Sequence, residues 1–527
     1  MPDLSSSSPI QRWLVPTFFT LVLVLGLLIF RDFGFSIDEN QQRDTGMISL
    51  KHVAQKINPD WVKNDPDFEP YSVPLADYRD RDYGVAFETP VSFVERLLQI
   101  EEIRHKFWLR HLFTFLVSFG GLIAVYQLAA RRFQDWRIGL LAASWLLLSP
   151  RMFAESFYND KDAVFMALFA IATNTAVRLL RRPTAGRVFW HALVCAITID
   201  VRIMGILIPA ATVALFGWRA VRQEASWARV LAVLAGYGVL TAALVVAFWP
   251  YLWAAPLSNF FNAFRNMAAF RWGGEVLYRG GMVPATSLPW HYALVWMGIT
   301  TPVLYLGLGL LGIGLVVREL IRQRLRLWSD EGQLQDVLFL GLSLGPLLVV
   351  IVLHSVLYDG WRQLYFVYPT FLLLAVRGWT AVWRTRPRLL GGLTVLSALV
   401  IMGQMVAAHP LQMVYFNVLA GPNVAERFEM DYWGLGYQED LKYIVTHDSR
   451  PLITVYSPPP SPTVMSLQML PKEQRNRIKI VDNPNGVDYF ITNYRWHPYP
   501  YTFPPGAEVY QLRADGRRVH SIFQLTW

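Results

Sequence analysis

Long apolar runs alternate with short polar gaps along most of this chain. Windows able to cross about 30 Å of hydrocarbon fall near residues 12–30, 107–128, 138–150, 163–180, 188–199, 203–218, 230–249, 291–316, 336–355, 364–383 and 389–408. The hydropathy pattern thus predicts about eleven transmembrane helices. The windows at 138–150 and around Asp200 are short and need extension or re-entry.

Two stretches break the rhythm. The polar segment 31–106 carries helical patterns around 40–57 and 89–105, with apolar residues recurring at three and four, suited to lying along a membrane surface. After residue 408 the chain turns polar, with "SPPPSP" and the strand-like runs "PLITVY", "IKIV", "VDYFIT" and "AEVYQL" between turn residues. The expected organisation is a membrane domain over 1–408 and a soluble α/β domain over 409–527, within the usual domain size. Beyond "LSSSS" at the start there is no low-complexity tract, and no internal repeat.

Composition agrees with a polytopic membrane protein. Of 527 residues, 54% are hydrophobic and 17% charged, against roughly 25% charged in a soluble domain; the mean hydropathy is +0.29. The net charge of +9 would suit a nucleic-acid binder, but the arginines cluster in short gaps between apolar runs, which argues for topology and against nucleic acid. Those gaps hold Arg131, Arg132 and Arg137; Arg178, Arg181, Arg182 and Arg187; Arg219, Arg222 and Arg229; Arg318, Arg322, Arg324 and Arg326; and Arg377, Arg384, Arg386 and Arg388. Every second gap is loaded, so the positive-inside rule places these five and the N-terminus in the cytoplasm. The first window lacks a small-residue cleavage site and reads as a retained span. Cys195 is the single cysteine, so no intrachain disulfide is expected.

Two acidic clusters then face outward: "SIDEN", with Asp38 and Glu39, and "ESFYNDKD", with Asp160 and Asp162. A carboxylate near the membrane boundary is suited to accept a proton from a hydroxyl nucleophile. A second cluster can orient that group or hold a hard cation. The competing reading is solvated loop charge. Lys161, Arg202 in "IDVRIMG" and Arg362 in "YDGWRQLYF" lie on the same side, placed to hold a lipid phosphate. Each has a plainer alternative: Arg202 pairs with Asp200, as intramembrane charges usually are paired; Arg362 snorkels to headgroups; Lys161 neutralises its acidic neighbours. The outer aromatic stretches "WPYLWAAP", "FRWGGEVLYRG" and "LPWHY" suit an interface belt or a groove for a polyisoprenoid and a sugar. His291 is a lone candidate partner for metal or phosphate. The chain has no CxxC, HExxH, P-loop or GxSxG motif, which argues against zinc, nucleotide and serine hydrolases.

An outward "DE" pair directly after the first span, "NDKD" opening the fourth, an arginine in the turn between spans five and six, and a soluble tail resemble the GT-C glycosyltransferases. The nearest branch is the bacterial relatives of protein O-mannosyltransferases and of the lipid A aminoarabinose transferase. "YDGWRQLYFVYP", "HPLQMVYFN" and "DYWGLGYQEDL" are similar to an uncharacterised bacterial group of this kind. The resemblance implies a GT-C membrane fold in the bacterial inner membrane, and inverting transfer of a sugar from a polyprenyl-phosphate donor to an acceptor protein, lipid or glycan outside the cytoplasm. It makes Asp38 the base, with Glu39 beside it, Asp160 and Asp162 the second acidic motif, and Lys161, Arg202 and Arg362 the phosphate ligands. Some members hold a divalent metal cation; here Glu88 in "YGVAFETP" would serve it, without a clear histidine partner. The rival from another class is a transporter or flippase of a lipid or glycan, which usually shows inverted repeats and midplane charge.

Overall fold

The structure is a computed structural model, described over residues 9–63, 65–268 and 272–526. The serine tract at the start and Phe270 and Arg271 of the aromatic stretch lie outside the described residues. Among the described residues, nine helices are long and apolar enough to cross a membrane. Two shorter ones, Trp136–Leu147 and Ala185–Val201, fill the windows near 138–150 and 188–199. The protein is therefore a multi-pass α-helical membrane protein. The window near 291–316 is two helices, Tyr292–Thr300 and Val303–Gln323. Thr301 is extended before Pro302, as the clash of a proline ring with the preceding residue requires.

Helix Asp162–Arg181 runs through the centre of the bundle with 78% of its apolar window buried, whereas Pro9–Ile29 and Pro387–Ala407 are peripheral, with 11% and 17% of theirs buried. Leu14, Leu21, Leu28, Leu389 and Leu399 on the peripheral pair are exposed, which in a bilayer means contact with lipid tails. Val303–Gln323 crosses the span Arg362–Trp383 at close range. A Cβ on Gly312 would meet the Leu374 carbonyl at 1.8 Å, and one on Gly378 the Leu308 carbonyl at 2.1 Å. Small residues at such a crossing let backbones approach and gain van der Waals contact.

The arginine gaps converge at one end of the bundle. Arg132 forks onto Asp336 at 2.7 and 2.6 Å, Arg377 reaches Glu319 at 2.6 Å, and Arg219 reaches Glu331 at 2.6 Å. The acidic segments gather at the other end. There the helices Glu39–Ile57 and Glu88–Leu97 pack on each other, tied by Arg43 Nε to Glu95 Oε2 at 3.0 Å. A hairpin of β1 (Glu275–Tyr278) and β2 (Gly281–Pro284) lies in the loop before residue 290.

The tail first serves the membrane part: Met413, Val414, Phe416 and Trp433 are buried in the same apolar cluster as the bundle. A separate core begins at Tyr437. It backs a five-stranded sheet of β3 (Ile453–Tyr456), β4 (Ile478–Ile480), β5 (Tyr489–Thr492), β6 (Glu508–Ala514) and β7 (Arg517–Gln524), in the order β4-β3-β5-β7-β6. β3 is parallel to β4 and β5, and β7 is antiparallel to β5 and β6. This is the small α/β unit expected from the sequence. Four strands coincide with the runs read there; β7, "RRVHSIFQ", begins with two arginines and escapes that reading.

Candidate active site

The turn Ser36 to Glu39 links the first span to helix Glu39–Ile57. Glu39 is fully buried; Oε2 accepts the Ser36 N–H at 2.7 Å and Oε1 bonds His111 Nε2 at 2.9 Å. The Ile37 N–H donates to the Trp433 carbonyl at 3.0 Å, tying the turn to the tail. With the turn fixed by Glu39, Asp38 makes no capping bond at the helix start. Its carboxylate turns to Arg362, whose Nη1 donates to Oδ2 at 2.8 Å.

Arg362 is the hub. The same Nη1 reaches Asp162 Oδ2 at 3.2 Å, and Nη2 reaches Asp359 Oδ2 at 3.2 Å. Its guanidinium lies 4.7 Å from the Tyr358 ring and 4.5 Å from the Trp433 ring, a sandwich that favours arginine over lysine. Asp162 Oδ1 takes Arg202 Nη2. Arg202 thus pairs with Asp162; Asp200 accepts the Ala86 N–H at 2.7 Å instead. Asp200 holds the loop 83–86 against the bundle, so closely that a Cβ on Gly84 would lie 1.5 Å from the Asp200 carbonyl.

These groups border a cavity of about 460 Å³. Asp38, Lys161, Asp359 and Arg362 line it from the bundle side; Pro460, Arg495 and Trp496 line it from the C-terminal unit. The Asp38 side chain keeps about a third of its surface (32%) exposed. Burial acts to raise its carboxyl, but the Arg362 guanidinium, as charge and as donor, together with Lys161 and Arg495 holds it below the usual carboxylate range. Lys161 stands with Nζ 3.2 Å from the centre of the Tyr83 ring. Among the described residues, no carboxylate reaches Nζ to form an ion pair, although the sequence flanks it with two. Burial, with Arg202 and Arg362 close by, brings its ammonium down to about 7 against the pull of Asp162 and Asp38.

Glu88 and Asp160 belong to a second cluster behind the cavity wall. Arg110, fully buried, donates through Nη1 to Glu88 and through Nη2 to Ser92 Oγ at 3.0 Å, with Asp160 Oδ2 3.9 Å from Nη1. Burial and the neighbouring Glu88 and Glu39 charges push the Asp160 carboxyl well above the usual range. A guanidinium therefore already occupies the place a cation would take among these carboxylates. Among the described residues, no group of three or more His, Cys, Asp or Glu is arranged to hold a metal ion, and Glu88 is the ion-pair partner of Arg110. His291 bonds the Tyr278 hydroxyl at 2.6 Å.

Of the residues singled out in the sequence, the structure brings Asp38, Lys161 and Arg362 to the cavity, sets Asp162 behind Arg362 with Arg202 bonded to it, and leaves Glu39, Asp160 and Glu88 buried behind the cavity wall. Asp359, Trp433 and Arg495 were not singled out. Asp359 lies inside the quoted "YDGWRQLYF" and Trp433 inside "DYWGLGYQEDL", so both were in view without a role. Arg495 carries no local signal, because its place at the site depends on how the C-terminal unit docks.

No model of a known protein family and no curated protein matches the chain. Among solved structures, it is similar to ArnT from Cupriavidus metallidurans in the apo state, at 15% identity and a TM-score of 0.49 over 98% of each chain. It is similar also to the same protein bound to undecaprenyl phosphate, at 15% identity and 0.45 over 98% of each. A third likeness is to the archaeal oligosaccharyltransferase AglB from Archaeoglobus fulgidus in complex with an inhibitory peptide and a dolichol-phosphate, at 13% identity and 0.45 over 92% of this chain and 70% of that one. These likenesses concern only the coarse course of the chain.

Proposed function

We propose that the protein is an inverting glycosyltransferase of the bacterial inner membrane, moving a sugar from a polyprenyl phosphate to an acceptor hydroxyl on the extracytoplasmic face. One observation carries this reading. Arg362 is committed to Asp38, Asp162 and Asp359, while Lys161 faces the same cavity without an ion-pair partner among the described residues, leaving one partly exposed carboxylate and one available ammonium side by side.

In this reading the acceptor hydroxyl donates its hydrogen bond to Asp38 and attacks the anomeric carbon. The bond from that carbon to the phosphate oxygen breaks, its electron pair stays on the phosphate, and the hydroxyl proton ends on Asp38. A single displacement inverts the anomeric centre. Lys161 meets the charge growing on the leaving phosphate. A phosphate leaves as a stable anion, so no acid need protonate it. Asp38, kept ionised by Arg362, is a weak base, suited to take the proton late, once the hydroxyl oxygen has begun to bond. Glu39 and Asp160 hold the turn and the wall that position Asp38 and Lys161. The positive-inside rule favours the arginine-loaded end as the cytoplasmic one, and this supports a cavity that opens, at the other end, to the outside. Sugar nucleotides are cytoplasmic, so a site facing out needs a donor that has already crossed, as a lipid-linked sugar has.

The test is transfer from a panel of synthetic polyprenyl-phosphate monosaccharides by the full chain in nanodiscs, read as released polyprenyl phosphate. Asp38→Asn is expected to lower the rate by about 10³-fold, within the range of a lost general base. Unchanged transfer by the variant would remove Asp38 from this role, and silence of the wild type across the panel would favour the transport reading.

A further inference from the structure

Arg495 stands far from the first acidic motif in sequence, yet it is bound into the same charge network. Its Nη2 donates to Asp359 Oδ1 at 2.8 Å, and the other oxygen of Asp359 accepts from Arg362 at 3.2 Å. Asp359 is thus a bridge between two guanidiniums, one from the bundle and one from the C-terminal unit. The bridge is held in unusual backbone: Asp359 has φ of +54° and Gly360 +72°, the left-handed region that a residue with a Cβ seldom takes. On the other side, Arg495 follows β5 on a segment where Tyr494 and Trp496 also have positive φ, +59° and +62°. That segment is anchored, since Asn493 Nδ2 donates to the Asp431 carbonyl at 2.9 Å, Asn493 Oδ1 accepts the Arg495 N–H at 3.1 Å, and Arg495 Nη1 donates to the Tyr432 carbonyl. Strained conformations persist where the surroundings over-determine them, and they cluster at functional sites.

We infer that Arg495 is a positioning residue for the reaction: it fixes Asp359, Asp359 fixes Arg362, and Arg362 sets the direction of Asp38. The C-terminal unit is then a working part of the active site. Without Arg495, the Asp359 carboxylate loses one of its two guanidiniums and can rotate, and Arg362 Nη2 loses a fixed acceptor. Arg362 keeps Asp162 and its aromatic sandwich, so it stays in place, but with Nη2 no longer held firmly by Asp359 its guanidinium can turn and carry Nη1 off its line to Asp38. Small displacements of this kind reach rates strongly, since a misplacement near 1 Å can cost about 10²-fold.

The inference rests on the transferase reading above, and its test separates the two. Arg495→Gln and Asp359→Asn are compared with the wild type in nanodiscs. Transfer from the polyprenyl-phosphate panel is expected to fall about 10- to 100-fold in kcat, with little change in KM for the lipid donor, because Lys161 is untouched. The double variant is expected to be no worse than the poorer single one, since residues in one relay are not additive; Arg495→Lys, which can still reach Asp359 with one donor, is expected to recover part of the rate. Hydrogen exchange supplies a readout that needs no activity: backbone amides of 357–364 should exchange faster in Arg495→Gln and in Asp359→Asn, with the helices of the bundle unchanged. Additive losses, wild-type kcat in Arg495→Gln, or unchanged exchange at 357–364 would each overturn the positioning role. If the wild type transfers nothing, the transferase reading fails, and the exchange result still decides whether the relay exists. Should Arg495→Gln not fold, Asp359→Asn alone tests the relay from the bundle side.

Discussion

Arg202 ignores the aspartate two residues before it and bonds Asp162, forty residues away on the next membrane helix but one. The turn between Ala185–Val201 and the span Ile203–Val221 points Asp200 at the loop 83–86 and Arg202 at the centre of the bundle. The two aspartates therefore predict opposite behaviour under the same substitution. Asp162→Asn leaves Arg202 and Arg362 short of a buried counter-charge, and breaking such a pair costs about 3–5 kcal/mol; a large loss of thermal stability and of transfer is expected. Asp200→Asn keeps an oxygen for the Ala86 N–H, and near-wild-type melting is expected. Paired melting curves with a transfer assay check this.

Lys161 gives the site a pH dependence with a definite sign. An anion binds the charged ammonium, and in the free protein that charge is lost as pH rises through about 7. Binding of polyprenyl phosphate, measured between pH 6 and 9, is expected to weaken as the pH rises. Lys161→Arg keeps its charge throughout this range, so its binding is expected to be flat with pH; a wild-type profile that is already flat would contradict the assignment.

Gly84 is expected to accept no larger residue. A Cβ there would meet backbone, not a flexible side chain, so Gly84→Ala must lift the loop from Asp200 and shift Tyr83 under Lys161. Donor affinity is expected to fall by roughly 10-fold with the fold intact, each 1.4 kcal/mol being tenfold. Binding isotherms beside a melting curve separate the two effects.

The C-terminal unit should lose stability in alkali. His520 is buried between Asp440, at 2.6 Å from Nδ1, and Asp431, at 3.0 Å from Nε2. Burial opposes its charge, yet the two carboxylates raise it to about 9 from an ordinary 6.5. A raised histidine contributes stability that is whole below about 6.5 and is lost as pH climbs through about 9. Proteolysis of the region from Tyr437 onward is expected to quicken between pH 7 and 10, and His520→Gln should abolish that trend while lowering resistance throughout.

Much of the architecture was legible because its cause is local. Eleven apolar windows each became a helix or a pair of helices, since a buried backbone in hydrocarbon must satisfy its own hydrogen bonds. The break at Pro302, which divides the window 291–316, was not read, although the proline that causes it stands in the sequence. The candidate site was legible only in part. Asp38, Lys161 and Arg362 stand out as charges at membrane boundaries, but their partners are set by tertiary contact: Arg202 to Asp162, Glu39 to His111, Glu88 to Arg110. Glu39 illustrates the limit. Its adjacency to Asp38 suggested a shared task at one centre, whereas neighbouring residues at a helix start point in different directions, and Glu39 was drawn inward by His111 and the Ser36 amide. Arg495 was beyond reach, as no periodicity or spacing connects the sheet to the bundle.

The cavity wall that Arg495 and Trp496 supply comes from late in the chain, whereas Asp38 emerges near its beginning. During synthesis the spans can insert and pack while that wall is still missing, which leaves Asp38 without the steering that Arg495 supplies through Asp359 and Arg362. On the proposed reading full activity then waits for the sheet to close over a bundle already built, and a chain without that wall would work slowly, its carboxylate loosely aimed.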